Sequence, residues 1–196
     1  MDAVQIAPRL WRWTAPHPEW EAGAEPESPG DWPQLVGSVL FESSDGAAVF
    51  VDPQLPLDPA VFWAWADERV HGKPAFVVTT LEWHDRSRDA FVERYAAAGA
   101  APGDVELLPF VALGETMVWL PAQRTLVPGD RIVGARGGGL RMCPVSWLRY
   151  LPEKTTLADM RAQLEPLLAL PVERVLVSHG EPVLSGGAHA LARALS

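Results

Sequence analysis

Short apolar runs and stretches with helical spacing of apolar residues follow one another along the chain. The apolar runs predict strands at residues 3–13, 35–42, 47–52, 74–80, 104–110, 114–120, 124–127 and 174–178. Amphipathic spacing predicts helices at residues 58–70, 88–99, 157–169 and 187–195. This order of strands and helices favours an α/β fold in which two sheets are covered by helices.

Local signals mark several boundaries of the predicted helices. Asp58, Ser87 and Thr156 are typical N-cap residues and stand directly before three of the helices. Gly99 predicts the end of the second helix, because glycine adopts the left-handed conformation that closes helices. Pro166 lies inside the third helical stretch, so we expect this helix to bend or to end early.

Composition and charge exclude several classes of protein. The chain has 196 residues, enough for a single domain with a full core. It has 16 basic and 25 acidic residues and a net charge of −9, which argues against binding to nucleic acid or to an anionic membrane surface. The single cysteine, Cys143, excludes an internal disulfide. No secretory leader or transmembrane run is evident, so we expect a soluble cytoplasmic protein.

Polar residues follow three of the predicted strands at the point where each strand ends. Asp85 lies in the segment after strand 74–80, Asp130 follows strand 124–127, and His179 follows strand 174–178. Strand ends of a layered α/β protein often meet at one edge, so we expect these three side chains to lie close together and to be catalytic candidates. Two carboxylates and an imidazole are typical of a divalent metal site, or of a charge cluster without metal.

These positions resemble those of the metallo-β-lactamase fold superfamily, and the resemblance covers nearly the whole chain. The hairpin that ends at Val51-Asp52-Pro53, the strand that reaches Thr80, Gly129-Asp130 and Ser178-His179-Gly180 carry it. The resemblance implies a single-domain αββα sandwich. It also implies hydrolysis that depends on one or two metal ions, most often zinc.

The family's His-x-His-x-Asp-His motif is largely absent. With Thr80 as the threonine before the motif, the first two histidines become Leu81 and Trp83. A further family histidine has no counterpart, because residues 87–129 contain no histidine. The first metal position of the family therefore lacks all its ligands, and we expect no metal there.

The second metal position keeps most of its ligands in this alignment. Asp85, Asp130 and His179 remain, but the last motif histidine becomes Arg86. A guanidinium is permanently charged and only donates hydrogen bonds, so it neutralises carboxylates and repels a divalent cation. The sequence thus predicts an internal salt bridge in place of a metal centre, with no cofactor.

Three functions are compatible with this interpretation. The first is a divergent member of the superfamily that binds a small molecule or acts as an accessory protein. The second is a hydrolase with a single zinc or manganese ion on Asp85, Asp130 and His179, with His84 or Glu82 recruited. The third is a metal-free hydrolase with His179 as the base. Glu82 and His84 are otherwise interpreted as a solvated loop edge, because neighbours in an extended loop point opposite ways.

Tryptophan is unusually frequent, with nine residues, and the loop 14–34 is rich in tryptophan and proline. Loops of this length are often functional, and this one is predicted to cover the site. The predicted ligand-contacting residues are Trp13, Trp32, Trp83 and Arg86. Such an aromatic pocket would suit a flat or apolar small molecule. The alternative is that the tryptophans cover a sheet edge.

Overall fold

The computed structural model describes residues 3–97, 99–151 and 154–196. Its strands are β1 (Val4–Ala7), β2 (Leu10–Pro16), β3 (Leu35–Glu42), β4 (Ala48–Val51), β5 (Ala75–Val78), β6 (Glu106–Phe110), β7 (Glu115–Leu120), β8 (Thr125–Val127), β9 (Ile132–Gly134), β10 (Leu140–Met142) and β11 (Arg174–Val175). Its helices are α1 (Pro59–Val70), α2 (Arg88–Tyr95), α3 (Leu157–Leu164) and α4 (Gly187–Ala194).

The strands form two main sheets. One sheet has the order β1-β2-β3-β4-β5, and the other has the order β11-β8-β7-β6. Only the β4–β5 and β11–β8 pairs are parallel, and the other pairs of these sheets are antiparallel. β9 and β10 form a separate two-stranded antiparallel pair.

Alternating side chains build the layers of the sandwich. On β3, Val39 and Phe41 point into a core between the sheets, where they pack with residues of β7 and β8 such as Val118 and Val127. Leu40, on the opposite face of β3, packs in a second core with residues of α1 and α2. A third core joins the other sheet to α3 and α4. The result is the αββα arrangement predicted above.

Helix boundaries agree with the sequence signals at two of the three predicted caps. The Asp58 side chain accepts a hydrogen bond from the first turn of α1, and Thr156 forms a capping box with Asp159 before α3. Ser87 precedes α2 but makes no cap, because its Oγ accepts a hydrogen bond from the Leu55 N–H at 3.0 Å.

Several predicted elements end or divide differently in the structure, and three of them show the reason. α2 closes at Ala96, which has a φ of 48°, and so it ends before Gly99. α3 ends at Leu164 and continues as a 3₁₀ turn over 165–169, consistent with Pro166. The predicted strand 3–13 is a hairpin that turns at Pro8-Arg9, where Arg9 has a φ of 63°.

The segment 128–156, predicted as loop, contains β9, β10 and a 3₁₀ turn over 145–150. Three-residue strands leave too short a pattern for sequence reasoning to detect. None of the helices in the described ranges is long and apolar enough to span a bilayer.

Candidate functional site

Three buried side chains converge at one edge of the sandwich. His84 follows β5, Asp130 follows β8 and His179 follows β11. Asp130 Oδ1 lies 3.0 Å from His84 Nε2 and 3.3 Å from His179 Nε2. One nitrogen or oxygen atom from each residue lies within 4.8 Å of the other two. The segments after all three strands singled out by the sequence therefore meet, and two of the three predicted side chains, Asp130 and His179, are in the group.

His84 reaches this group because residues 82–84 form a single 3₁₀ turn. The turn is closed by the His84 N–H, which donates to the Leu81 carbonyl at 2.9 Å. The turn points the His84 ring into the protein, so that only 2% of His84 is exposed. Asp85, at the end of the turn, is exposed. The expected meeting of Asp85 with Asp130 and His179 is therefore wrong, because the segment is a turn and not an extended loop.

A buried carboxylate orients the His84 ring from behind. Asp52 Oδ2 lies 2.8 Å from His84 Nδ1, so Nε2 faces Asp130. Asp52 itself is held by Thr80, whose N–H donates to Oδ1 at 2.7 Å and whose hydroxyl donates to Oδ2 at 2.5 Å. Such a carboxylate fixes the tautomer and the orientation of a ligating histidine.

A second buried carboxylate holds the loop that presents Asp130. Glu115 accepts backbone N–H bonds from Gly129, Asp130 and Arg131 at 3.0, 3.1 and 3.0 Å. Gly129 is required here, because a Cβ would lie 2.8 Å from side-chain atoms of Leu81 and Thr80. Glu115 thus fixes the backbone that positions Asp130 in the His-Asp-His group.

The two oxygens of Asp130 differ in their partners. Oδ2 accepts a hydrogen bond from Trp83 Nε1 at 3.0 Å. Oδ1 is buried and, among the described residues, has no hydrogen-bond donor in acceptable geometry, although both histidines are close. His179 Nδ1 likewise has no hydrogen-bond partner in the described part of the chain. The His179 ring is held instead by edge contacts with Trp32 and Trp147, at centroid distances of 5.2 and 5.6 Å.

Arg86 lies behind the group and does not pair with Asp85. Its guanidinium donates to the carbonyls of Gly37 and Asp52 at 3.1 Å each and to Ser178 Oγ at 2.5 Å. Nη2 also lies 3.4 Å from His84 Nε2. Arg86 therefore joins β3 to the segments that follow β4 and β11, and it places a permanent positive charge beside one imidazole.

The charges of the group are strongly coupled when no ion is bound. Burial and Arg86 act to lower the pKa of His84, but Asp130 and Asp52 outweigh them and raise it to about 9. Burial acts to raise the pKa of Asp130, yet His84 and His179 hold it well below its usual value. Burial is the largest influence on His179 and lowers its pKa. The metal-free group is therefore a compensated set of charges.

A cavity of about 300 Å³ opens above the group. Its lining residues are His17, Glu19, Pro29, Trp32, Trp83, His84, Asp130, Arg131, Trp147, Tyr150 and His179. The segment 17–32 of the predicted loop supplies one wall, and residues around the 3₁₀ turn over 145–150 supply another.

The wall formed by the segment 17–32 is tethered to the chain after β9. Arg136 forms an ion pair with Asp31 at 2.6 Å, and Arg141 forms one with Glu27 at 3.1 Å. Trp147 Nε1 donates to the Pro29 carbonyl at 3.2 Å. These contacts hold the loop beside the cavity.

The predicted ligand-contacting residues are only partly in this cavity. Trp32 and Trp83 line it, whereas Arg86 contacts the His-Asp-His group from behind. Trp13 is fully buried in the core beneath α1, where its ring lies 5.1 Å from Phe62 and its Nε1 donates to the Gln54 carbonyl. The prediction for Trp13 is wrong, because alternation along β2 points this ring toward the helices.

Sequence reasoning missed several residues that build the site. Asp52 was noted only as part of the hairpin end, although it follows a strand just as Asp130 does, and that position could have identified it. Glu115 begins β7 and acts through backbone N–H groups, which leave no pattern in a sequence. His17, Trp147 and Tyr150 reach the cavity only through loop geometry.

Solved structures share this architecture over nearly the whole chain. A metallo-β-lactamase from Pontibacter korlensis is 13% identical, with a TM-score of 0.54, and the match covers 99% of this chain and 98% of that one. A metallo-β-lactamase from Erythrobacter litoralis in its mono-zinc form is 16% identical, with a TM-score of 0.58 and coverage of 99% and 94%. This chain has the metallo-β-lactamase fold.

A metallo-β-lactamase family protein from Thermus thermophilus matches with 15% identity and a TM-score of 0.51, over 97% of this chain and 79% of that one. No protein-family model matches the sequence, and no curated protein matches it. At these identities the comparisons establish the metallo-β-lactamase fold alone. The expectation of an αββα sandwich is confirmed.

Proposed function

We propose that this protein is a hydrolase that uses one divalent metal ion, of the zinc class, held by His84, Asp130 and His179. The observation that carries the proposal is the convergence of these three side chains at the floor of a cavity. It retains the single-metal alternative predicted from the sequence, with the recruited His84 as a ligand and without Asp85.

The donor set fits such an ion. Two imidazoles and a carboxylate are ordinary zinc ligands, and three protein ligands with one open position are typical of catalytic zinc. Ligands at about 2.0–2.1 Å from a tetrahedral ion lie ~3.3 Å apart, and Asp130 Oδ1 lies 3.0 and 3.3 Å from the two nitrogens. Asp130 Oδ1 is also a buried acceptor that lacks a donor among the described residues. In the metal-free protein the two histidines compensate the charge of Asp130, and a bound cation would take over that role.

The residues around the group have distinct tasks in this proposal. Asp52 keeps the Nε2 lone pair of His84 directed at the ion position. Trp83 holds the second oxygen of Asp130, so that Oδ1 alone faces the two histidines. When bound, an ion of this class acts as a Lewis acid on a carbonyl or phosphoryl group and makes water a better nucleophile at neutral pH.

Metal titration tests the proposal directly. Protein stripped with a chelator is titrated with zinc against a chromogenic competitor, and the same is done for His84→Gln and for His189→Gln. His189 is an exposed histidine of α4 outside the group, so it is the matched control. We expect about one tight zinc per chain in the wild type and in His189→Gln, and at least about tenfold weaker binding in His84→Gln. A wild-type protein without a tight site would overturn the proposal.

One observation favours a second candidate, a metal-free small-molecule-binding protein. Arg86 Nη2 lies 3.4 Å from His84 Nε2, where its charge opposes a divalent ion. If this repulsion dominates, the wild type binds no zinc and Arg86→Met binds it. If the single-metal proposal holds, both proteins bind zinc, and the variant does so with equal or higher affinity.

A further inference from the structure

Four aromatic rings surround the space above the His-Asp-His group. Trp32 and Trp147 both contact the His179 ring in T-shaped geometry, at centroid distances of 5.2 and 5.6 Å. Trp83 and Tyr150 form another wall, with centroids 5.9 Å apart. All four line the same cavity, and Trp83 and Tyr150 are about half exposed at 45% and 54%. The cavity therefore offers aromatic surface to whatever enters it.

The single guanidinium in the lining is not free to receive an anion. Arg131 is 1% exposed, and its Nε and Nη2 both donate to the Leu113 carbonyl, at 3.1 and 2.9 Å. Its Nε lies 3.9 Å from Glu115, and the Trp83 ring lies over the guanidinium at 5.4 Å. Nη1 has no hydrogen-bond partner in the described part of the chain, but burial keeps the Arg131 guanidinium behind the wall and away from a ligand in the cavity.

The remaining charges of the lining favour a cation. Asp130 is compensated by the histidines below it, whereas Glu19 is exposed and makes no ion pair in the part of the chain that the structure describes. The net charge of the whole chain is −9, which attracts cationic ligands and slows the approach of anionic ones. Aromatic cages beside a carboxylate are suited to quaternary ammonium groups, which have no N–H donors and so bind π faces without losing hydrogen bonds.

We infer that the cavity binds an organic cation and that the substrate is a small ester of a quaternary ammonium alcohol. The inferred substrate class rests on the proposed function, but the binding of the cation does not. Hydrolysis of such an ester adds water across the acyl C–O bond and releases a carboxylic acid and an ammonium alcohol. The cavity of about 300 Å³ is at the small end of ligand sites, which limits the size of the substrate.

A pair of isosteres tests the inference. Choline and 3,3-dimethylbutan-1-ol have nearly the same shape, but only choline is charged. Binding of each to zinc-free protein is measured by tryptophan fluorescence and by calorimetry. We expect choline to bind about tenfold more tightly, as expected for a desolvated cation against aromatic faces. Equal affinity, preference for the neutral alcohol, or no binding of either would overturn the inference.

Two variants locate the binding. Tyr150→Leu removes a half-exposed ring and is therefore expected to fold, and it should reduce choline affinity severalfold while leaving the neutral alcohol little changed. Glu19→Gln should weaken choline binding, whereas Glu21→Gln, a neighbouring exposed carboxylate outside the lining, should not. Unchanged choline affinity in both Tyr150→Leu and Glu19→Gln would place the cation elsewhere and overturn the inference.

Turnover separates this inference from the proposed function. Zinc-loaded protein is assayed with acetylcholine and with its neutral isostere, 3,3-dimethylbutyl acetate. Choline binding without zinc-dependent hydrolysis of either ester would leave the cation site intact and overturn the inferred substrate class, while the zinc titration decides the metal site on its own. Zinc-dependent hydrolysis of both esters with equal kcat/KM would support the hydrolase and overturn the cation preference.

Discussion

Replacing Asp52 by asparagine isolates the contribution of one carboxylate to the His84 position. Asp52 Oδ1 accepts the Thr80 N–H, and Oδ2 faces both the Thr80 hydroxyl and His84 Nδ1. An asparagine side chain has one acceptor oxygen and one NH₂ group. If the asparagine oxygen takes the Oδ2 position beside His84, the NH₂ group lies against the Thr80 N–H, which is also a donor. If the oxygen takes the Oδ1 position and accepts the Thr80 N–H, the NH₂ group lies against His84 Nδ1. One of the buried contacts is therefore lost in either orientation.

The size of the effect follows from this conflict. Loss of a carboxylate that orients a metal-ligating histidine typically costs 10- to 100-fold in metal affinity, which is about 1.4–2.7 kcal/mol. One unsatisfied buried polar group also costs about 1–3 kcal/mol of folding stability. We therefore expect Asp52→Asn to bind zinc 10- to 100-fold more weakly and to unfold at a lower urea concentration than the wild type.

Zinc affinity is measured by competition with a chromogenic chelator, and stability by urea unfolding of the zinc-free proteins. Asp89→Asn is the matched control, because the Asp89 side chain is 99% exposed and lies outside the site. We expect the control to match the wild type in both measurements. Zinc affinity of Asp52→Asn within about twofold of the wild type would refute the reasoning, because Asp52 would then not orient a ligand.

Two further predictions concern residues that support the site or the core. Glu115→Gln leaves one acceptor oxygen for three backbone N–H groups, so we expect the free energy of unfolding, measured in urea, to fall by about 1–3 kcal/mol. Unchanged stability would show that Glu115 does not hold the Gly129-Asp130 loop. Trp13→Phe leaves the Gln54 carbonyl without its hydrogen-bond donor, so we expect a similar loss of stability and an unchanged choline affinity. Weaker choline binding would show that Trp13 contributes to the cavity.

The fold could be predicted because its strands and helix starts leave local signals in the sequence, namely apolar runs and N-cap residues. β3 has the predicted bounds of 35–42, and α1 begins at Pro59 behind the Asp58 cap. Each of these features depends on neighbours within a few residues, so the sequence contains the whole signal. The resemblance carried by Gly129-Asp130 and His179 added the order of the layers.

The floor of the site was only partly predictable, because a single turn decides which side chains reach it. Alignment on Thr80 gave the inward position to Asp85, whereas the 3₁₀ turn over 82–84 gives it to His84. A change of one residue in such a turn reverses which side chain is buried. Asp130 and His179 were found because each follows a strand, where the backbone direction is fixed by the sheet.

Two ion pairs, each with one strongly exposed side chain, help to hold the loop that forms one side of the cavity. Arg136 is 76% exposed in its pair with Asp31, and Glu27 is 64% exposed in its pair with Arg141. Attraction between such charges weakens as dissolved ions screen it, over about 8 Å at physiological ionic strength. We therefore expect salt to weaken these two ion pairs, whereas the hydrogen bond from Trp147 Nε1 to the Pro29 carbonyl is not screened. Any dependence of ligand affinity on salt will report how far the ion pairs contribute to the position of this wall.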